Sequence, residues 1–561
     1  MNKERIPYSL FIIFIFSSAF FFDCTDSKKP PRSEMARSPK ELQVKAKSLI
    51  EDLINFAADK GGKIDDSVSL QQLKPVELIY KQYQFSSAWS KEEQWLPEGD
   101  SLFDFIEKAK LYGLFPVDYH FDQLNVIRTK FFDDSTAASD KRDAALWARA
   151  DLMLTDAFVQ IIKDIKLGRL PQDSISMRKD SVLNGEFYLQ QFNIFRQTGS
   201  LTRILRILEP KQKGYQLLKE GIKKFLDGFD STTYTYVPSS SAASYKQALQ
   251  KRLFEGGFIE TDSIIADSSH LANAVKKFQE AKGITVDGKA GGETLRILNT
   301  SDREKFIRIA ITMDRYKMLP EKMPEKYLWV NLPAYQLQLW EGDSITLLSK
   351  IICGKPATRS PVLTSAIAEL ITYPKWSIPA SIIEKEVLPG LKKNSHYTIK
   401  KGYGIFDSKG NEVNPDSVNW SKFKKTIPYR VIQGSGDDNA LGVLKFNFNN
   451  KYAVYLHDTN ERYLFARNDR DLSHGCIRVQ QWQQLAFYVI RNDAIDSASA
   501  PRLDSMQTWL KKKEKHSIAI HNKLPLFIRY FTCEGKKDGI VFYDDMYGED
   551  KILSEKYFRG K

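Results

Sequence analysis

Tyr327-Leu328-Trp329-Val330-Asn331-Leu332-Pro333-Ala334-Tyr335-Gln336-Leu337-Gln338-Leu339 puts Leu328, Val330 and Leu332 at alternate positions, breaks at Pro333-Ala334, and resumes with Leu337 and Leu339. Alternation of period two marks a half-buried strand, and a turn between two such runs predicts a hairpin. Further strands are predicted at Thr346 to Cys353, Ala366 to Tyr373 and Tyr452 to His457. A β-rich domain is therefore expected over 327–497. Within it, 377–438 loses the strand rhythm to a helix-like Ile382 to Leu388, polar turns and Gly434-Ser435-Gly436. An insertion of that length in a compact domain reads as a cap or lid.

Upstream of Tyr327 the apolar period is helical. Ser38-Pro39-Lys40-Glu41 supplies an N-cap hydroxyl, a proline at the first helical position and a glutamate at the third, which predicts a helix start. Leu42, Leu49, Ile50, Leu53 and Ile54 follow at helical spacing until Gly61-Gly62. With similar segments at Ser101 to Leu111 and Ala144 to Ile165, residues 38–238 read as a helical scaffold. A small-residue break at Ser239 to Ser244 precedes a second helical unit, 245–300. There Ala274, Val275, Phe278 and Gln279 lead into Gly283, Val286-Asp287-Gly288, Gly291-Gly292, Thr294-Leu295 and Leu298. That pattern resembles the peptidoglycan-binding-domain family of small helical bundles, although the glycines serve turn geometry first. A connecting helix is expected over 301–326, and an extension packing on the scaffold or the β-rich domain over 498–561.

Length and composition bound the answer. At 561 residues the chain exceeds one core, given roughly 100–200 residues per domain. Hydrophobic residues at 42% and charged residues at 27% exclude disorder and a polytopic membrane protein for the bulk of it. Lys3 and Arg5 before the apolar run Leu10 to Phe22 form an export or anchor signal over 1–24, followed by a tether over 25–37. The protein is expected outside the cytoplasm, in the periplasm. Cys24 leaves a lipoprotein form open, against which Phe22 and Asp23 stand where small residues are preferred. The net charge of +13 is spread among acids, which points to solvated surface rather than nucleic-acid binding. Cys24, Cys353, Cys476 and Cys533 show no paired spacing, so a free thiol is available for chemistry.

Asp471-Leu472-Ser473-His474-Gly475-Cys476-Ile477-Arg478-Val479 carries that chemistry. About fifteen residues earlier, Tyr455 and His457 share one face of a strand while Val454 and Leu456 take the other. A cysteine nucleophile needs a base within hydrogen-bond reach, and Cys476 with His457 can form a thiolate–imidazolium pair. N–H groups around His474, Gly475 and Cys476 can converge on an oxyanion. Asp458, or a nearby main-chain carbonyl, would orient the imidazole. Arg478 is placed to receive a carboxylate. A zinc site from His457, His474 and Cys476 is the rival; no C-x-x-C or H-x-x-x-H pairing accompanies these residues, and no metal or cofactor is expected.

His457, a gap of about fifteen, and Ser473-His474-Gly475-Cys476 resemble the signature of the L,D-transpeptidase catalytic domain family. Val330-Asn331-Leu332-Pro333-Ala334-Tyr335, Gly354-Lys355-Pro356, Trp376-Ser377-Ile378-Pro379 and Asn439-Ala440-Leu441-Gly442 are similar to segments of its large multidomain members. The resemblance implies an α+β chain with a helical scaffold, a peptidoglycan-binding-like bundle and a β-sandwich catalytic domain with an inserted cap. It implies that Cys476 takes an acyl group from one peptidoglycan tetrapeptide stem, releasing D-alanine, and passes it to the side-chain amine of another, forming a 3→3 cross-link. Tyr455, Trp376 and Asn439 would bind substrate, Ser473 would support the oxyanion region, and carbapenems would acylate Cys476. Hydrolysis in the same site, attachment of an envelope protein to a stem, and a wall-binding protein without catalysis are the alternatives. Other cell-wall enzymes are the partners expected beyond the stems, with the membrane reached only through the N-terminal segment.

Overall fold

The computed structural model describes residues 29–173, 175–178, 182–261, 268–493 and 499–560. The export segment over 1–24 and Cys24 lie outside the described residues. Among those described, no helix is long and apolar enough to cross a membrane. The chain divides into two compact units. Of the described residues, one takes those within 29–103, 119–160 and 184–200; the other takes those within 104–118, 161–183 and 201–560.

The first unit is helical, with Pro39–Asp59, Leu73–Gln82, Phe121–Phe132 and Gly185–Thr198 among its helices. Ser38 caps the first by accepting the Glu41 N–H at 3.2 Å. The Glu41 carboxylate takes the N–H of Arg37 at 2.8 Å rather than that of Ser38. Trp89 packs on Phe158, Phe192 and Phe195 at the centre, where Asp151 accepts from the Ala88 and Trp89 amides and the Tyr80 hydroxyl. Burial pushes Asp151 up to about 6. The expected tether over 25–37 needs correction for its described part: Met35 bridges Asp143 antiparallel, Ala36 is buried, and Lys29 and Arg32 pair with Asp66. Short apolar residues between the basic ones give that segment something to bury.

In the second unit, Tyr245–Glu255, Ser268–Ala281 and Gly292–Asn299 form the small bundle around Leu249, Leu253, Val275, Phe278 and Leu298. Gln279 is 1% exposed. Its amide oxygen accepts from the N–H groups of Asp287 and Gly288, and its NH2 donates to Asp287, Lys289 and Thr294. Gln279 is thus the internal clamp of the Asp287-Gly288 turn. A capping box of Ser301 and Glu304 then starts the helix Asp302–Lys317.

The β-rich domain contains strands β1 (Lys326–Asn331), β2 (Gln336–Glu341), β3 (Ser344–Gly354), β4 (Leu363–Thr372), β5 (Trp376–Ser377), β6 (Tyr403–Phe406), β7 (Arg430–Gln433), β8 (Leu444–Phe448), β9 (Leu456–His457), β10 (Asp471–Ser473), β11 (Ile477–Val479) and β12 (Ser517–Arg529). Nine of these form one sheet in the order β10-β3-β11-β9-β8-β4-β12-β1-β2, and β2 pairs with β3 to close it on itself. The expected sandwich is realised as this wrapped sheet, filled by Leu328, Val330, Leu337, Leu339, Ile367, Phe446, Leu456, Ile477 and Leu526. Full burial of side chains of this size contributes about 1.5–3 kcal/mol each.

Two expectations change here. Residues 498–561 are not an appended extension: β12 pairs parallel with β1, Leu526 opposite Leu328, and antiparallel with β4, Leu526 opposite Ser365. The strand expected from Tyr452 shortens to Leu456–His457. Ala453 has φ +54°, and the Asn450 side chain takes the N–H groups of Tyr452 and Val454, so the backbone is already satisfied before the ladder starts. The insertion holds β5, β6 and β7 as a three-stranded sheet and has its own core of Ile378, Ile382, Val387, Leu391, Trp420 and Val431.

Candidate active site

Pairing register assembles the site. Lys445 on β8 stands opposite His457 on β9, and His457 stands beside Arg478 on β11. Side chains in register on neighbouring strands point to the same face, so the imidazole has a cation on each side. Tyr455 and Cys476 flank the same row, with the Ile477 N–H donating to the Tyr455 carbonyl at 3.1 Å. Val454 and Leu456 turn into the core, as alternation predicts.

His457 is 4% exposed. Its Nδ1–H donates to the main-chain carbonyl of Asp458, which leaves the lone pair on Nε2. Burial, with the charges of Arg478 and Lys445, pulls its pKa down to about 3 against the carbonyls of Asp458 and Leu441. Burial pushes the Cys476 thiol above its ordinary range, opposed by hydrogen bonds from Tyr455 and the charges of Lys445 and Arg478. Both shifts run against the expected thiolate–imidazolium pair in the free protein.

The Asp458 carboxylate is not the orienter. It accepts from Arg462 Nε at 3.0 Å and Nη2 at 2.5 Å and from the Val443 N–H at 3.0 Å, because the chain after β9 turns it toward the 441–443 loop. Asn439, expected to bind substrate, is buried instead. Its side chain donates to the Gly434 carbonyl at 2.7 Å and accepts the Leu441 N–H at 2.8 Å. It braces the loop whose Leu441 carbonyl lies against His457.

The Ser473–Cys476 turn is tied from below. The Ser473 hydroxyl donates to the Cys476 carbonyl at 2.6 Å and accepts the Gly475 N–H at 3.1 Å. The Gly475 N–H, expected in an oxyanion pair, is thereby engaged. Ser360 donates to the Gly475 carbonyl at 2.7 Å, and Thr358 and the Lys355 amide donate to the Ser473 carbonyl. Gly475 has φ +118°, a conformation side chains rarely adopt. His474 faces the insertion, its Nε2 on Glu386 at 2.5 Å, within a π-helical turn at Ile383–Val387.

Arg478 already carries an ion pair, one terminal nitrogen being held by Glu461 at 2.7 Å, while its buried Nε has no partner. Trp376 and Tyr455 do come together, since the indole donates to the Tyr455 hydroxyl, which in turn meets the Cys476 sulfur. Lys445 went unread in the sequence. Leu444-Lys445-Phe446-Asn447-Phe448 is an ordinary alternating strand, and only its register with His457 brings Lys445 to the site. A thiol, an imidazole lone pair and hydroxyl and amide donors on one face can carry out nucleophilic acyl transfer.

Three family matches fall on these parts. Residues 325–496 match the L,D-transpeptidase catalytic domain, 246–298 the family described as "Putative peptidoglycan binding domain", and 74–222 the scaffold domain. Residues 325–496 are thus similar to the L,D-transpeptidase catalytic domain family. It is 34% identical over 247 residues to a Haemophilus influenzae protein named "Putative L,D-transpeptidase", covering 44% of this chain and 49% of the relative. The chain thus spans about half the length of that curated relative. Among solved structures, an Ldtfm–avibactam carbamoyl enzyme matches at 12% identity and TM-score 0.15 over 37% of this chain and 49% of that one. An L,D-transpeptidase of Xylanimonas cellulosilytica matches at 13% identity and TM-score 0.14 over 54% and 100%.

Proposed function

We propose that the protein is an exported L,D-transpeptidase that forms 3→3 peptidoglycan cross-links through a thioester on Cys476. The single observation that carries this reading is that His457 pairs in register with Arg478, two residues past Cys476, inside a segment that matches that family. Cys476 Sγ attacks the carbonyl between the L-centre of the third stem residue and D-alanine. The thiol proton passes to His457 Nε2 as the C–S bond forms, since burial disfavours the charged form of both groups beforehand. His457 then gives the proton to the departing amine, and D-alanine leaves.

In the second half the side-chain amine of another stem attacks the thioester. His457 takes a proton from it and returns one to the sulfur, leaving an amide and the free thiol. The main-chain N–H groups of His474 and Cys476 are the donors left for the oxyanion, since that of Gly475 is engaged. Trp376 and Tyr455 form the wall of the donor groove. The 246–298 bundle would hold the enzyme on the glycan, which places it in the cell wall or periplasm.

Muropeptide analysis of cells lacking their other such enzymes tests this. Expression of the wild type yields 3→3 dimers and Cys476→Ala yields none. Shortened stems without dimers would replace transpeptidation by hydrolysis.

A further inference from the structure

Among the described residues, Lys445 is a cation at the site without an ion-paired carboxylate. Its Nζ lies 3.9 Å from the centroid of the Tyr455 ring, and the hydroxyl of that ring meets the Cys476 sulfur. Among the described residues, no carboxylate lies within ion-pairing distance of it. Glu369 is near enough for its charge to be felt, but that carboxylate is held by Asn447 Nδ2 at 2.6 Å and by the Ser517 hydroxyl. Arg478, on the other side of His457, has a carboxylate partner in Glu461, although its Nε has none. A half-buried ammonium loses hydration without gaining a counter-ion, and a carboxylate brought to it restores the balance.

We infer that Lys445 receives a carboxylate of the donor stem and so fixes which carbonyl is presented to Cys476. This rests on the reading of Cys476 as the acyl-transfer nucleophile. Two carboxylates of a stem could supply the contact: that of the terminal D-residue, one residue beyond the scissile carbonyl, or one on the side chain of the third residue.

The first test needs no stem at all. Cys476 is alkylated by iodoacetate, an anion, and by neutral iodoacetamide, and the Cys476 peptide is quantified by mass spectrometry. Dividing the two rates removes the intrinsic reactivity of the sulfur. The ratio falls about fivefold to tenfold in Lys445→Met and returns in Lys445→Arg, the size expected of one partly screened charge contact. A ratio unchanged in a folded Lys445→Met overturns the inference; if that variant fails to fold, Lys445→Gln is read in its place.

The second test identifies the carboxylate. With the unmodified donor, Lys445→Met raises KM about tenfold with kcat less affected. Amidating the carboxylate that Lys445 reads makes wild type and variant equal, and amidating the other leaves the tenfold gap. A gap that survives both amidations also overturns the inference. If the wild type turns over no donor, the acyl-transfer reading falls and the donor assignment with it, while the alkylation ratio still decides whether Lys445 receives carboxylates.

Discussion

The imidazole of His457 rests on the main-chain carbonyl of Asp458, while the carboxylate of Asp458 turns away to Arg462 and the Val443 amide. One residue thus serves two structures: its carbonyl sets the tautomer of the base, and its fully buried side chain pins the loop behind it. Asp458→Asn should therefore cost stability rather than chemistry. Replacing a buried charge that accepts three hydrogen bonds is expected to cost about 2 kcal/mol. Urea unfolding and the pH profile of turnover check this. A lower midpoint with the profile in place is predicted; a displaced profile at unchanged stability would mean that the carboxylate governs the base.

Acid should weaken the fold through His457. Its folded pKa is depressed to about 3, whereas the unfolded chain titrates near 6.5. The unfolded state binds the proton first, so this contribution is fully present above about pH 6.5 and is lost as pH falls toward 3. By pH 4.5 the loss is about 2.5 kcal/mol. Denaturant unfolding at pH 7 and pH 4.5 should show it, and His457→Gln should flatten the difference between the two pH values whatever its absolute stability.

The state of the thiol is separately measurable. With Cys476 shifted above the ordinary thiol range by burial, its alkylation by iodoacetamide should climb with pH and reach half-maximum above the roughly 8.5 of a free cysteine. A plateau already present near pH 6 would show a preformed ion pair.

Gly442 has φ +61°, and a Cβ there would run into the Asp458 carboxylate. Gly442→Ala should displace Asp458 and, through its carbonyl, His457. Turnover is expected to fall about 10-fold or more, while far-UV circular dichroism stays unchanged. Equal turnover would show that this loop does not set the position of the base.

The final segment is testable by its packing. Leu526 is fully buried between β1 and β4, so Leu526→Ala should cost about 2–5 kcal/mol. A peripheral extension would lose far less, and thermal melting of the whole chain distinguishes the two.

Much of this was legible in residue patterns, and the failures have physical causes. The hairpin at 327–339 announced itself because alternation and turn chemistry agree. The strand at 517–529 did not, because His521, Asn522 and Lys523 occupy a register shift between Ala519 and Leu524 and hide the period. Cys476 and His457 stood out because rare residue types sat at an informative spacing. Lys445 did not, since alternation assigns it a face but cannot say which strand lies beside it. Asn439 is a substrate contact by resemblance and Arg478 by its chemistry; Gly434, Leu441 and Glu461, which they meet instead, come from turns whose geometry the sequence leaves open.

The most direct measurement of the central claim is mass spectrometry of the protein quenched during turnover with a disaccharide tetrapeptide. An adduct on the Cys476 peptide equal to the donor minus D-alanine, labile to hydroxylamine and absent from Cys476→Ala, is the predicted result. Cross-linked product formed by Cys476→Ala at the wild-type rate would contradict it.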